Sequence, residues 1–99
     1  SSTELTDESI PFLKNLLHLF NDSQIKILIE GHTDNSGDYR ANVKLSRDRA
    51  NSIKKFLVEN GIQSNRIKTI GLGSSRPRFS NDSESGRQKN RRVEIVIDN

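Results

Sequence analysis

Several residue types are scarce or missing, and each absence excludes something. There is no cysteine in the 99 residues, so there is no disulfide, no thiolate metal site and no thiol nucleophile. That leaves the compartment open, since an oxidising one carries no risk of mispairing. Tryptophan is absent and Tyr39 is the sole tyrosine, which leaves little with which to build a base-stacking platform for single-stranded nucleic acid. No apolar run approaches the roughly 20 residues of a membrane-spanning helix, and the start has no signal-peptide pattern. A piece of a longer chain would lack both as well, and Ser1-Ser2-Thr3 reads as a cut boundary, so neither absence locates the parent protein. No internal repeat or low-complexity tract interrupts the chain.

What is present fits one domain over residues 1–99, expected to be a fragment of a longer protein. Hydrophobic residues make up 30% and charged residues 29%, so the core must be small. A domain this size still buries roughly 60–65% of its unfolded surface, enough to fold without staples. The net charge of +3 is mild. The basic residues concentrate late, at Arg76, Arg78, Arg87, Lys89, Arg91 and Arg92.

The periodicities give the order α-β-α-β-loop-β. Leu5 to Asn21 reads as a helix capped by Thr6 or Asp7, with Pro11 tolerated near its first turn. Ile10, Leu13, Leu17 and Phe20 make its apolar face, widened by Leu16, and His18 falls off that face as a surface histidine. After an Asn21-Asp22-Ser23 turn, Gln24 to Glu30 is a strand with Ile25, Ile27 and Ile29 on one face, Leu28 on the other, and Gly31 at its end. A second helix begins between Asp38 and Asn42 and runs to Asn60, stopped by Gly61; it turns Ile53, Phe56 and Leu57 inward. Arg66 to Leu72 is a short strand with Ile67, Ile70 and Leu72 available for burial. Ser74 to Asn90 is a long basic connection in which Asp82 or Ser83 could cap a short helix through Arg87. Arg92 to Ile97 is the last strand, with Val93, Ile95 and Ile97 on one face and Val96 on the other. The expected fold is α/β (α+β), a two-layer sandwich with helices on one face of a mixed sheet.

Chemistry concentrates in Glu30-Gly31-His32-Thr33-Asp34-Asn35-Ser36-Gly37 and Leu45-Ser46-Arg47-Asp48-Arg49-Ala50. Asn42 and Arg49 are seven residues apart on the second helix and point nearly the same way, about 10 Å apart along its axis. Ile53 and Phe56 continue that register, so Arg49 lies on a stripe that becomes core, where a guanidinium needs a partner or a cleft. Asp34, just past the strand, is placed to be near it. Two readings stand at this point: an Asp34–Arg49 ion pair that pins the turn to the helix, or a clamp for a zwitterion. In the clamp, Asp34 takes an ammonium and Arg49 a carboxylate, each bond contributing about 1.5–3 kcal/mol. Asp34 could also simply cap its own turn. His32 and Asp34 could be two metal ligands, but the sequence presents no third. Ser36 and Ser46 lack a nucleophile-elbow context, and Gly71-Leu72-Gly73 is too short for a phosphate fingerprint. No catalytic residue, metal or cofactor is therefore expected. The basic segment from Arg76 to Arg92 is the basis of an alternative reading as a nucleic-acid-binding domain; a solvated loop is the plainer one.

Several separated motifs, in order, resemble the OmpA-like C-terminal domain, the peptidoglycan-binding module found also in MotB-type stator proteins and peptidoglycan-associated lipoproteins. They are Glu30-Gly31-His32-Thr33-Asp34, Leu45-Ser46 with Arg49-Ala50, Val58 through Gly61-Ile62, Gly71-Leu72-Gly73 with Pro77, and Asn90-Arg91-Arg92-Val93-Glu94-Ile95. The resemblance covers Ile27 to Ile97. It implies non-covalent, non-enzymatic binding of the diaminopimelate in the peptidoglycan stem peptide, with Asp34 and Arg49 gripping it, Asn42 a contact, Thr33 a backbone contact and Arg92 either a weaker contact or a brace for the site. It also implies a periplasmic domain, attached to the outer membrane or to an inner-membrane stator through a segment outside this chain, with no nucleic-acid partner; a homodimer is a further expectation. The family opens with a strand leading into the first helix. This chain begins at about the point where that strand ends, so the strand is expected to be absent from it.

Overall fold

The computed structural model describes residues 9–20 and 25–98. The elements, in order, are α1 (Ser9–Phe20), β1 (Lys26–Gly31), α2 (Tyr39–Glu59), a 3-10 turn at Ser64–Arg66, β2 (Ile67–Gly71), α3 (Glu84–Asn90) and β3 (Val93–Asp98). The described strands form one sheet in the order β2-β1-β3. β1 pairs in parallel with β2 and antiparallel with β3. The fold is α/β, a mixed sheet with helices packed on it. The cap expected at Thr6 or Asp7, the Asn21-Asp22-Ser23 turn and the side chains of Ile10 and Leu16 lie outside the described residues.

Strand alternation puts Ile27 and Ile29 under the helices, where both are buried, and leaves Leu28 half-buried on the other face. They pack with Leu17, Phe20, Ala50, Leu57, Ile62 and Ile67 into one core, with Ile25, Ile53, Phe56, Val93 and Ile95 at its margin. Two expectations are corrected here. Ile70 is 42% exposed: it stands three residues from Ile67, so it points to the opposite face, level with Glu30. Ile97 is 47% exposed although it pairs with Ile27, because α2 lies over β1 and β2 and barely reaches β3.

α2 is fixed at both ends by local chemistry. The Asp38 carboxylate accepts from the Ala41 N–H at 3.0 Å. At the other end, Ile62 N–H donates to the Leu57 carbonyl and Gly61 N–H to the Val58 carbonyl, each at 3.1 Å, with Gly61 at φ +104°. This is the glycine stop expected at Gly61, and buried Ile62 meets buried Leu57 across it.

The helix lies very close to the sheet. A Cβ at Gly31 would come within 1.9 Å of the Ser46 carbonyl oxygen, and one at Gly71 within 2.5 Å of the Arg47 nitrogen. Gly31 ends β1 as expected, and it does so inside the ladder, opposite Gly71 on one side and Val93 on the other. The buried Ser46 hydroxyl completes the contact, accepting from Gly73 N–H at 3.0 Å and donating to the Val43 carbonyl at 2.8 Å. This packing holds the first half of α2 beside the chain that leaves β1.

The long connection is more ordered than its sequence suggests. Ser83, rather than Asp82, caps α3 through Gly86 N–H, and the helix continues to Asn90 instead of ending at Arg87. The fully buried Asn90 accepts from the Arg78 and Phe79 N–H groups and donates to the Phe79 carbonyl and the Asn81 side chain. One side chain thus folds the connection back onto the start of β3.

Candidate functional site

Beyond β1 the chain turns at residues 32–37 and, with α2 and the end of α3, encloses a cleft of about 400 Å³. Its walls are Thr33, Asp34 and Ser36 from the turn, Asn42, Leu45 and Arg49 from α2, and Arg91 just after α3. Four of the five expected site residues meet there; Arg92 does not.

Asp34 is buried, at 5% exposure. One carboxylate oxygen accepts from Ser36 N–H at 2.8 Å, the turn closure allowed for from sequence. The other accepts from an Arg91 Nη. Burial alone would push the Asp34 carboxyl up, but the Ser36 N–H and the Arg91 guanidinium outweigh it and hold the group below its ordinary value. The Asp34–Arg49 pair considered from sequence is thereby corrected: the hydrogen-bonded partner of Asp34 is Arg91. Arg49 is nevertheless close enough to feel both charges. Burial and the neighbouring Arg91 lower its pKa, and Asp34 raises it.

Asn42 acts as a brace. Its amide donates to the Ser36 carbonyl at 2.8 Å and more weakly to the Asp34 carbonyl at 3.4 Å. Thr33 is buried, its hydroxyl donating to the Asp34 carbonyl at 2.9 Å and its N–H to the Gly73 carbonyl at 2.9 Å. A ligand contact through the Thr33 N–H is therefore closed.

Arg92 turns the other way. Its Nε and an Nη reach Glu94 at 2.7 and 2.6 Å, and its remaining donors reach the Asn90 and Arg76 carbonyls. Beside it, His32 is 1% exposed, with Nε2 3.4 Å from both Glu30 and Glu94. The metal reasoning from sequence is corrected as well. The acids around His32 are Glu30 and Glu94, not Asp34, and the three donors lie within 4.8 Å of one another. Arg92 and Arg78 already compensate Glu94, so this group is a braced charge network on the outer side of the sheet.

Arg91 is the residue that sequence reasoning left out, because which of two adjacent arginines faces the cleft depends on how β3 pairs with β1. Arg92 and Glu94 are two apart and share a face with Glu30, so Arg91 must face the opposite side. The same pairings weaken the nucleic-acid reading: Arg78, Arg87, Arg91 and Arg92 each meet a carboxylate, and Lys89 sits 5.1 Å over the Phe79 ring.

The sequence model of the OmpA family matches residues 1–91. The chain belongs to the OmpA family. This OmpA-family domain is 46% identical over 72 residues to the peptidoglycan-binding protein ArfA of Mycobacterium tuberculosis, covering 73% of this chain and 22% of that protein. It is 44% identical over 72 residues to the outer-membrane lipoprotein YfiB of Pseudomonas aeruginosa, covering 73% of this chain and 43% of that one. Its fold matches the crystal structure of the peptidoglycan-associated lipoprotein of Burkholderia pseudomallei with a TM-score of 0.94 at 25% identity, over 99% of this chain and 84% of the other. The OmpA-family domain thus spans less than half the length of both curated relatives.

Proposed function

We propose that this domain is a non-enzymatic peptidoglycan anchor of the cell envelope, facing the periplasm, and that the cleft takes the zwitterionic centre of a diaminopimelate in the stem peptide. The observation that carries this reading is the meeting of Asp34, Arg49 and Arg91, from three separate segments, in one solvent-open cleft. A carboxylate between two guanidiniums suits a ligand with one ammonium and one carboxylate. The peptidoglycan-binding relative and the matching lipoprotein fold support the wall as the partner. The cleft offers binding groups, and the buried His32 lies outside it.

The test is retention on purified sacculi, with titration of a diaminopimelate-terminated stem tripeptide. Wild type should be retained, and Arg49→Ala should lose about tenfold or more in affinity with little change in melting temperature. Equal retention of the two proteins would remove the clamp. Absence of any wild-type binding would remove the peptidoglycan reading.

A further inference from the structure

Aromatic rings are few in this chain: four phenylalanines and one tyrosine. Phe20 is fully buried and Phe56 packs at the margin of the core. Phe79 is different. Its side chain is 45% exposed, yet its backbone is held on both sides by one buried amide. Asn90 accepts from the Phe79 N–H at 3.0 Å and donates to the Phe79 carbonyl at 2.9 Å. The residues after it are pinned as well. A Cβ at Gly86 would come within 1.8 Å of the Ser80 carbonyl oxygen, so α3 lies directly on that chain. An Arg87 Nη donates to the Asn81 carbonyl at 2.9 Å. Gly86, Arg87 and Asn90 of α3 thus fix the segment from Phe79 to Asn81 and leave an aromatic ring in solvent.

A ring held this way is a pre-organised contact surface. It leaves apolar area in water, where burial would stabilise it, and little ordering remains to be done when something covers it. Lys89, also on α3 and exposed, stands over the ring with Nζ 5.1 Å from its centroid. The pair presents a flat apolar surface beside an ammonium donor. A pyranose of an N-acetylated amino sugar has the matching chemistry: C–H groups on one ring face for the phenyl, and hydroxyl and acetamide oxygens for the ammonium. Nucleic acid would call for a series of rings, and this segment has one.

The spacing to the cleft fits as well. Asn90, which holds Phe79, immediately precedes Arg91 in the cleft wall. Glu84 and Arg87 lie on the Arg91 side of α3, whereas Lys89 lies on the Phe79 side. The helix between them is about 10–12 Å across. In peptidoglycan, two stem residues and a lactyl link separate the diaminopimelate from its amino sugar, three links of about 3.3–3.6 Å each, or about 10 Å. A stem seated in the cleft reaches across the end of α3 to Phe79. We propose that Phe79 and Lys89 form a second subsite, which takes the N-acetylated amino sugar that carries the stem peptide. This rests on the peptidoglycan reading above.

The test titrates wild type, Phe79→Ala and Lys89→Gln with two ligands that differ only in the sugar: the stem tripeptide capped by lactate at its amino end, and the same tripeptide carrying N-acetylmuramic acid. Each protein yields one ratio of dissociation constants, and any unfolded fraction scales both members equally and cancels. Wild type should bind the muramyl ligand about fivefold tighter or more. In Phe79→Ala the ratio should fall to about one, and in Lys89→Gln it should fall in part. Equal affinities in wild type, or the wild-type ratio retained in Phe79→Ala, would overturn the sugar subsite and leave the anchor reading standing. If wild type binds neither ligand, both fall together.

Discussion

Arg91 and Arg92 leave the end of α3 in opposite directions, and the clusters they enter differ in a way that separates binding from bracing. On one side, Arg91 meets Asp34, Glu84 and the neighbourhood of Arg49 in a cleft where it remains 31% exposed. On the other, Arg92, at 16% exposure, ties Glu94 to two carbonyls beside the sealed His32. Both clusters alternate acids and bases, and both flank the end of β1. They differ in what surrounds the charges. The cleft groups come from three segments and line an opening of about 400 Å³. The Arg92 groups come mostly from two paired strands, Glu30 opposite Glu94, around a His32 that is 1% exposed. A charge network becomes a site when its groups line an opening, and the count of charges alone does not reveal that.

The comparison can be broken most directly at Asp34. Asp34→Asn keeps the acceptor for Ser36 but removes the charge that meets Arg91 and the proposed ammonium; tripeptide affinity should fall by about tenfold or more, with only a small drop in melting temperature. A large loss of stability with unchanged affinity would make the cleft a brace like its neighbour. Arg92→Ala should do the reverse. Leaving Glu94 and two carbonyls short of donors should lower unfolding free energy by about 1–3 kcal/mol in a denaturant titration, while affinity for the tripeptide stays within about twofold. A tenfold loss of affinity would return Arg92 to the ligand site that the family resemblance suggested for it.

The smallest effect, and the sharpest in position, is in the pH dependence of stability. Burial and Arg92 hold the His32 pKa below its ordinary value, against the pull of Glu30 and Glu94. The unfolded chain therefore takes up the proton first, and stability should decline as pH falls through about 6.5. Asp34 is shifted downward too, and acts in a lower pH range. Its stabilisation is complete above its unfolded pKa of about 4 and is lost as pH falls below that, where Glu94, held down by Arg92, and Glu84, held down by Arg91, also respond. Thermal melts from pH 7 to 6, above the range in which the carboxylates respond, should thus report mainly the His32 cluster. His32→Gln should flatten that slope; an unchanged slope would place its origin elsewhere.

Much of this was legible from local patterns. The isoleucine alternation of β1, the Asp38 and Gly61 ends of α2, and the convergence of Asp34, Asn42 and Arg49 all follow from periodicities of two and 3.6 residues and from capping chemistry. Misplaced residues sit where a local pattern meets a neighbouring element. Ile70 looked buriable because it is apolar, yet its parity with Ile67 turns it outward. The segment from Ser74 to Asn90 read as a basic connection with room for one short helix, and what orders the rest of it stayed hidden because those contacts are of one buried amide, Asn90, with backbone about ten residues upstream.

The sequence by itself determined the elements, their ends and the apolar face of each, because those depend on interactions within a few residues of chain. Which arginine of the Arg91-Arg92 pair enters the cleft was decided only by tertiary structure. The antiparallel register of β3 on β1 sets which side each residue faces, and the partner of Arg91 lies 57 residues away. Two adjacent, chemically identical side chains differ in role only through the pairing that orients them.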